Sequence, residues 1–321
     1  MNKKERVIAA INKKPVDYIP CGFSLHFPEN ENSGKAGVEA HLRFFKEADT
    51  DIDKIMNENL VPSPAKGSVF PEGYAPVAEM DLVGTIIKEQ VEFSKEIISK
   101  LDGSSFVMGT LHGICASGLH PIEKSGYAYE DARKIQRDSL LKDEATTLKA
   151  FQHITDAMCE LAKGYKEAGC DAVYFASLGG EHDCFTPEEF DRWIKPYDLQ
   201  IMKAIKDAGL YCVLHICKSG IDMERYRDYG KYADVVNWGV YEIPYSLEDG
   251  RKLFPDAAIM GGLKNRSGVL VDGTDEEIAS EVKDVINGFG KTGFILGADC
   301  TLATEQDMHK LSVAIKTSRE C

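Results

Sequence analysis

Residues 172–217 read AVYFASLGGEHDCFTPEEFDRWIKPYDLQIMKAIKDAGLYCVLHIC, and they hold one complete unit of the pattern that decides the fold. The unit begins with the short apolar run Ala172–Ala176 and ends with a second run, Tyr211–Cys217. Between the runs, Thr186-Pro187-Glu188-Glu189 supplies a helix N-cap with proline in the first turn, and Gly209 stands where a helix would end. The stretch therefore predicts a strand, a helical connection and a second strand.

The same unit recurs along the whole chain, with helix-like segments between the apolar runs. The eight runs are Ile19–Ser24, Ile52–Asn57, Phe106–Leu111, Ala172–Ala176, Tyr211–Cys217, Val235–Gly239, Ala258–Leu263 and Phe294–Ala298. Near-continuous apolar strands that alternate with helices indicate a parallel sheet covered on both faces. Eight units in 321 residues predict a single-domain α/β protein, a (β/α)8 TIM barrel over residues 1–321, with two open sheets as the alternative.

The charge balance excludes several classes of function. The chain has 38 Lys+Arg against 52 Asp+Glu, a net charge of −14, which argues against general binding to nucleic acid or to anionic lipid. No stretch approaches the roughly 18–20 apolar residues of a membrane helix. Residues 1–14 lack the apolar core of a signal peptide, so we expect a cytoplasmic protein. Its nine cysteines form no C-x-x-C pair and are expected to be reduced thiols.

The most specific motif is Leu214-His215-Ile216-Cys217 at the end of the fifth predicted strand. Positions i and i+2 of a strand face the same side, so His215 and Cys217 both face the barrel mouth. Imidazole and thiolate are preferred zinc ligands, and Cys300 after the eighth run can supply a third. Three protein ligands leave a coordination position open, as in catalytic zinc sites. The simpler interpretation is that all three are buried packing residues. The fifth and eighth strands are not neighbours, so the Cys300 loop must lean inward.

Several segments together resemble the uroporphyrinogen decarboxylase-like superfamily, and within it the zinc- and corrinoid-dependent methyltransferases. The signature of that branch is H-x-C followed much later by Cys, matched here by His215, Cys217 and Cys300. Further similar segments are Lys3-Lys4-Glu5-Arg6-Val7, Pro15-Val16-Asp17-Tyr18-Ile19-Pro20, Phe185-Thr186-Pro187-Glu188-Glu189-Phe190, Lys195-Pro196-Tyr197 and Gly261-Gly262-Leu263-Lys264-Asn265-Arg266. The resemblance implies a (β/α)8 barrel and a zinc ion on the three ligands.

One segment departs from the pattern of true uroporphyrinogen decarboxylases. Those enzymes carry an arginine-rich Met-Arg-Gln-Ala-Gly-Arg segment that binds the carboxylates of the substrate. The corresponding stretch here, Cys21–Pro28, reads CGFSLHFP and contains no arginine. A tetrapyrrole with many carboxylates would meet a negatively charged chain without its main counter-charges, so porphyrinogen decarboxylation is disfavoured.

The resemblance implies methyl transfer between a corrinoid protein and a small molecule. Zinc would either activate a thiol acceptor or act as a Lewis acid on a methyl ether or methylated amine, and the residues permit both directions. The chain has no D-x-H-x-x-G corrinoid-binding motif, so methylcobalamin or a related corrinoid is expected on a separate partner protein.

The remaining polar residues at strand ends receive predicted roles. Glu181 is a candidate fourth zinc ligand or acid/base group, and Asp299 is a candidate catalytic group beside Cys300. The candidate substrate-binding residues are His26, His112, Asn237 and Arg266. Each also fits a structural interpretation, as a solvated carboxylate, a helix cap, a packed histidine or a surface salt bridge.

Three other functions remain open from the sequence. The first is a metal-free decarboxylase of the same fold. The second is a non-enzymatic module that binds a corrinoid or another small molecule. The third is a redox pair of Cys217 and Cys300, which would form a disulfide and hold no metal.

Overall fold

All eight predicted runs form parallel strands of one sheet. The computed structural model describes residues 1–64, 70 and 73–321. The strands are β1 Cys21–Gly22, β2 Ile52–Ile55, β3 Phe106–His112, β4 Ala172–Ser177, β5 Tyr211–Ile216, β6 Val235–Trp238, β7 Ala258–Leu263 and β8 Phe294–Ala298. Their order in the sheet is β1-β8-β7-β6-β5-β4-β3-β2, a nearly closed barrel. The (β/α)8 prediction is confirmed, although β1 is shorter than the predicted run.

Helices connect the strands and cover the outside of the barrel. They are α1 Lys3–Ile11, α2 Gly34–Ala48, α3 Lys88–Ile98, α4 Ile114–Glu123, α5 Tyr129–Lys142, α6 Glu144–Ala168, α7 Pro187–Trp193, α8 Lys195–Asp207, α9 Leu247–Leu253, α10 Val269–Asp272, α11 Asp275–Phe289 and α12 Met308–Glu320. The predicted N-cap Thr186 forms a capping box with Glu189, and Gly209 follows α8 with a φ of +73°. Within the described ranges, no helix is both long and apolar enough to cross a membrane.

The barrel interior is packed by side chains that alternate along the strands. Phe106 and Met108 of β3 face inward with Ala172 of β4 and with the corresponding residues of the other strands, and together they form a buried cluster separate from the outer helix–strand core. Helix α1 closes the bottom of the barrel because Val7 and Ile11 join this cluster. The lower half of the interior is therefore apolar, and polar inward-facing side chains are concentrated at the opposite end, where the strands end.

Asp51, immediately before β2, joins the two ends of the sheet. Its backbone N–H donates to the carbonyl oxygen of Cys21 at 3.0 Å, and its carboxylate accepts the N–H of Cys21 at 3.0 Å. The Arg6 guanidinium donates to the same carboxylate at 2.8 Å, and both side chains are buried. A buried ion pair thus fastens α1 to the junction between β1 and β2.

Replacement of this buried arginine is expected to destabilise the protein strongly. The Arg6→Met variant leaves the Asp51 carboxylate buried without its cation, a change that costs about 3–5 kcal/mol of unfolding free energy. Urea unfolding followed by circular dichroism measures the loss. The matched control is Lys3→Met on the same helix, which removes an ion pair to the largely exposed Asp49 and should change stability by less than about 1 kcal/mol. Equal losses in the two variants would contradict the role given to Arg6.

Candidate metal centre

The structure brings together the three predicted zinc ligands. His215 lies near the end of β5, Cys217 follows that strand, and Cys300 lies two residues after β8. One ligand atom from each residue lies within 4.8 Å of the other two, and these residues are the only group of three or more such donors found in the described part of the chain. The Cys300 loop therefore leans inward past β6 and β7, as a shared site requires.

The hydrogen bonds around His215 fix which ring nitrogen carries the proton. The amide nitrogen of Asn237 donates to the carbonyl oxygens of Met260 and Ala298, each at 3.0 Å, so its amide oxygen must face His215. That oxygen lies 2.6 Å from Nδ1 of His215 and can only accept. Nδ1 is therefore protonated in the neutral ring, and Nε2 presents a lone pair.

The Nε2 atom of His215 is buried and has no hydrogen-bond partner among the described residues. An unsatisfied buried nitrogen is unfavourable unless it serves another purpose. A free lone pair on one ring nitrogen, with the other nitrogen held by an oxygen acceptor, is the usual arrangement of a metal-binding histidine. The donor set of one imidazole and two thiols fits zinc.

The Cys217 and Cys300 sulfurs perturb each other's ionisation. A hydrogen bond between them lowers the pKa of the Cys300 thiol, as do the nearby His215 and Lys54, and raises the pKa of the Cys217 thiol. Cys300 is therefore the more acidic of the two thiols, and the thiolate is the form that binds zinc.

The residue after Cys217 adopts an uncommon backbone conformation. Lys218 has a φ of +87°, in the left-handed region that is unfavourable for side chains other than glycine. Such strain, of order 1–3 kcal/mol, is tolerated mainly at functional sites. Here it turns the chain sharply behind a predicted ligand.

Tyr174 of β4 supports His215 from the side. The two rings are stacked, with centroids 5.1 Å apart and an interplanar angle of 23°. The tyrosine hydroxyl also donates to the amide oxygen of Asn237 at 3.2 Å. The Lys54 ammonium lies 3.5 Å from the centroid of the Tyr174 ring. Sequence reasoning missed both Tyr174 and Lys54, although each interrupts an apolar strand at an inward-facing position.

A cavity of about 360 Å³ lies above the three predicted ligands, at the end of the barrel where the strands end. Its walls combine apolar side chains, among them Met56 and Leu178, with basic groups. His26 and His112 line this cavity, as expected for substrate-binding candidates. His26 is bound to Glu58 at 2.8 Å, whereas burial lowers the pKa of His112 to about 4.

The other predicted substrate contacts lie elsewhere. Asn237 lies behind His215, and all of its hydrogen-bonding groups are engaged, so its first task is to fix the tautomer of the ligand. Arg266 is exposed and does not line the cavity. Both substrate-binding roles stay predictions.

Neither predicted catalytic carboxylate lines the cavity. The Glu181 side chain is buried and accepts the backbone N–H of Gly179 at 2.8 Å and the Tyr129 hydroxyl at 3.3 Å. Asp299 accepts the backbone N–H of Tyr241 at 3.1 Å, and burial raises the pKa of Asp299 to about 6. Each carboxylate orders a loop beside the site, and a direct role in chemistry stays a prediction.

Fold and site define a (β/α)8-barrel protein with three metal-donor side chains at the carboxyl ends of its strands. A family model described as uroporphyrinogen decarboxylase (URO-D) matches residues 121–321. The chain belongs to this family.

Solved structures with the same fold extend over nearly the whole chain. A methyltransferase from Methanosarcina mazei is 17% identical, with a TM-score of 0.77, over 100% of this chain and 99% of that chain. A B12-independent methionine synthase from a Shewanella species, in complex with selenomethionine, is 13% identical with a TM-score of 0.56, over 94% and 97%. A putative B12-independent methionine synthase from Listeria monocytogenes is 14% identical with a TM-score of 0.52, over 88% and 85%. No curated protein sequence matches the chain. At these identities the likeness shows the fold.

The assignment of the His215 tautomer makes a direct prediction. In chelator-treated protein at mildly alkaline pH, Nδ1 of His215 should carry the proton and Nε2 should not, because Asn237 offers only an acceptor. Long-range ¹⁵N–¹H NMR correlation of the imidazole rings distinguishes the two tautomers, and a His215→Gln sample identifies the signals. A protonated Nε2 would contradict the proposed arrangement.

Proposed function

We propose that this protein is a zinc-dependent methyltransferase that moves a methyl group between a separate corrinoid protein and a small molecule. The observation that carries the proposal is the cluster of His215, Cys217 and Cys300, which offer ligand atoms within 4.8 Å of one another, together with the unpartnered Nε2 of His215. The small molecule is a thiol acceptor, or a methyl ether or methylated amine donor.

The three donors suit a catalytic site better than a purely structural one. A neutral imidazole and two thiolates balance the charge of one zinc ion and leave one coordination position for the substrate. Zinc bound there would lower the pKa of a substrate thiol or polarise a methoxy oxygen. The open position would face the cavity of about 360 Å³, which is large enough for a small organic molecule.

The protein's own residues prepare this chemistry. Asn237 keeps His215 in the tautomer that can bind metal, and Tyr174 limits rotation of the ring. Apolar side chains, among them Met56 and Leu178, line the cavity beside the donors. A substrate bound against them would displace water, which strengthens electrostatic interactions between the site and a reacting group.

The fold likenesses support methyl transfer and leave the source of the methyl group to experiment. The Methanosarcina neighbour is a methyltransferase by its title, and the two methionine synthases are B12-independent by theirs. A corrinoid protein as the partner follows from the sequence resemblance, and the chain lacks a D-x-H-x-x-G motif of its own.

Porphyrinogen decarboxylation is the competing function because the family model carries that name. The segment that binds substrate carboxylates in those enzymes has no arginine here, at Cys21–Pro28. A thiol and imidazole cluster at the base of the cavity is also unnecessary for a metal-free decarboxylase.

Metal analysis of ligand variants tests the zinc proposal. Protein purified without chelator should contain about one equivalent of zinc, and His215→Ala and Cys300→Ser should each retain less than about a tenth of it, since three ligands are required. The matched control is Cys159→Ser, which removes a half-buried thiol on α6, outside the cavity. Elemental analysis by mass spectrometry and circular dichroism measure metal content and folding.

The reaction is tested on the same proteins. Wild type should remove the methyl group of methylcobalamin in the presence of a thiol, or methylate cob(I)alamin from a methyl ether or methylated amine, whereas the two ligand variants should not. Zinc-free wild type that decarboxylates uroporphyrinogen would contradict the proposal and establish the competing function.

A further inference from the structure

Lys54 is a buried lysine without a role in the proposed methyl transfer. It lies in β2 at an inward-facing position, and its side chain is 3% exposed. Its ammonium lies 3.4 Å from the Ser24 hydroxyl and 3.5 Å from the centroid of the Tyr174 ring. A hydroxyl and an aromatic face stabilise a buried ammonium only in part, since neither carries a full negative charge.

The other buried arginine and lysine side chains of the described residues have carboxylate partners. Arg6 donates to Asp51 at 2.8 Å, and Arg225 lies 3.4 Å from a carboxylate oxygen of Asp222. Across residues 1–64, 70 and 73–321, no carboxylate forms an ion pair with Lys54. The sulfur atoms of Cys217 and Cys300 interact with the Lys54 ammonium, but a bound zinc ion would neutralise their charge. In the metal-loaded site the buried ammonium therefore has no counter-ion, and this indicates a place where an anion is expected.

Lys54 opens into the same cavity as the predicted metal ligands. Lys218 lines this cavity as well, and Glu123 is the one carboxylate among the described residues that line it. Glu58 also interacts electrostatically with Lys54, but it does not line the cavity and is bound to His26 at 2.8 Å. The cavity wall therefore carries a surplus of basic groups within a chain whose net charge is −14. Such local reversal of charge favours a small anion over a neutral or cationic ligand.

We propose that Lys54 is the anion-binding residue of this cavity and that its ammonium pairs with a negatively charged group of the small-molecule substrate. The inference rests on the proposed function, because it concerns the substrate of that site. The anion is either the substrate sulfur at the metal or a more remote acid group of the same molecule. Either anion needs a cation close by, and the ammonium of Lys54 on β2 supplies one.

Direct binding of two model thiols to cobalt-substituted protein tests this role without an activity assay. The probes are 3-mercaptopropionate, which carries a carboxylate, and 2-mercaptoethanol, which does not. Cys217 and Cys300 bound to Co(II) already give a thiolate-to-metal charge-transfer absorption. Binding of either probe sulfur adds to it, and titration of the increase gives the dissociation constant. Measurements near neutral pH keep Lys54 largely protonated, since burial lowers its pKa only to about 8.

The neutral variant Lys54→Met should weaken binding by about 10- to 100-fold, the value of one charge-assisted hydrogen bond. Weaker binding of 3-mercaptopropionate alone identifies a remote acid group, and weaker binding of both probes identifies the sulfur. Lys54→Arg should restore most of the affinity because it keeps the charge. Lys46→Met changes net charge by the same amount at an exposed position outside the cavity, and should leave both affinities within about twofold.

The outcomes separate this inference from the proposed function. An increase in charge-transfer absorption when thiol is added to wild type, with affinities unchanged by Lys54→Met, would overturn the anion-binding role and leave the metal-dependent function standing. No increase with either thiol, while the absorption from Cys217 and Cys300 is present, would also overturn the anion-binding role alone. Absence of cysteine-to-cobalt absorption in the cobalt-loaded wild type before thiol is added would overturn the proposed function, and this inference with it. Unchanged cobalt d–d spectra and circular dichroism in the variants show that the loss is not a loss of folding.

Discussion

The two-residue period of the barrel strands is the constraint on which the structure depends. Because successive side chains of a strand point to opposite faces, every second residue of eight parallel strands faces one common axis. Near the bottom of the barrel these residues are apolar, and α1 seals them from solvent. Near the top the same period brings His215 of β5 and Cys217, the residue that follows this strand, to the same side. The core and the candidate metal centre are thus two ends of one packing pattern.

The candidate site is also held together by contacts between strands. Asn237 on β6 is paired in register with His215 on β5, and its amide reaches carbonyl oxygens of β7 and β8. Tyr174 on β4 stacks on the same histidine, and its ring forms a cation–π contact with the Lys54 ammonium. The five strands β4 to β8 together therefore determine the orientation of one imidazole ring. This rigidity suits a donor whose lone pair must be ready before any ligand arrives.

The sequence predicted those features that depend on local pattern. Apolar runs marked all eight strands, the Thr186 box marked a helix start, and the spacing of His215 and Cys217 required that they share a face. The structure goes further for Cys300, whose distance from β5 along the sheet gave no assurance of contact. Strand β1 is shorter than its apolar run because only Cys21–Gly22 pairs with β8.

What local pattern could not supply is the identity of partners on other strands. Lys54 and Tyr174 meet only because β2 and β4 curve toward one axis, and no spacing in the sequence records that distance. Glu181 follows a strand end in the expected manner, yet its carboxylate turns back to the N–H of Gly179. The direction of a loop side chain depends on hydrogen bonds that form after the barrel closes, so strand-end position alone does not determine which side chains line the cavity.

The central claim is that His215, Cys217 and Cys300 together hold one zinc ion with a position left for substrate. X-ray absorption spectroscopy at the zinc edge tests it most directly, because sulfur at about 2.3 Å and nitrogen or oxygen at about 2.0–2.1 Å are readily distinguished. We predict two sulfur and two lighter neighbours in the purified protein, and a third sulfur in place of one lighter neighbour after addition of a thiol. A zinc shell without sulfur, or one with four protein ligands that a thiol does not change, would contradict the account.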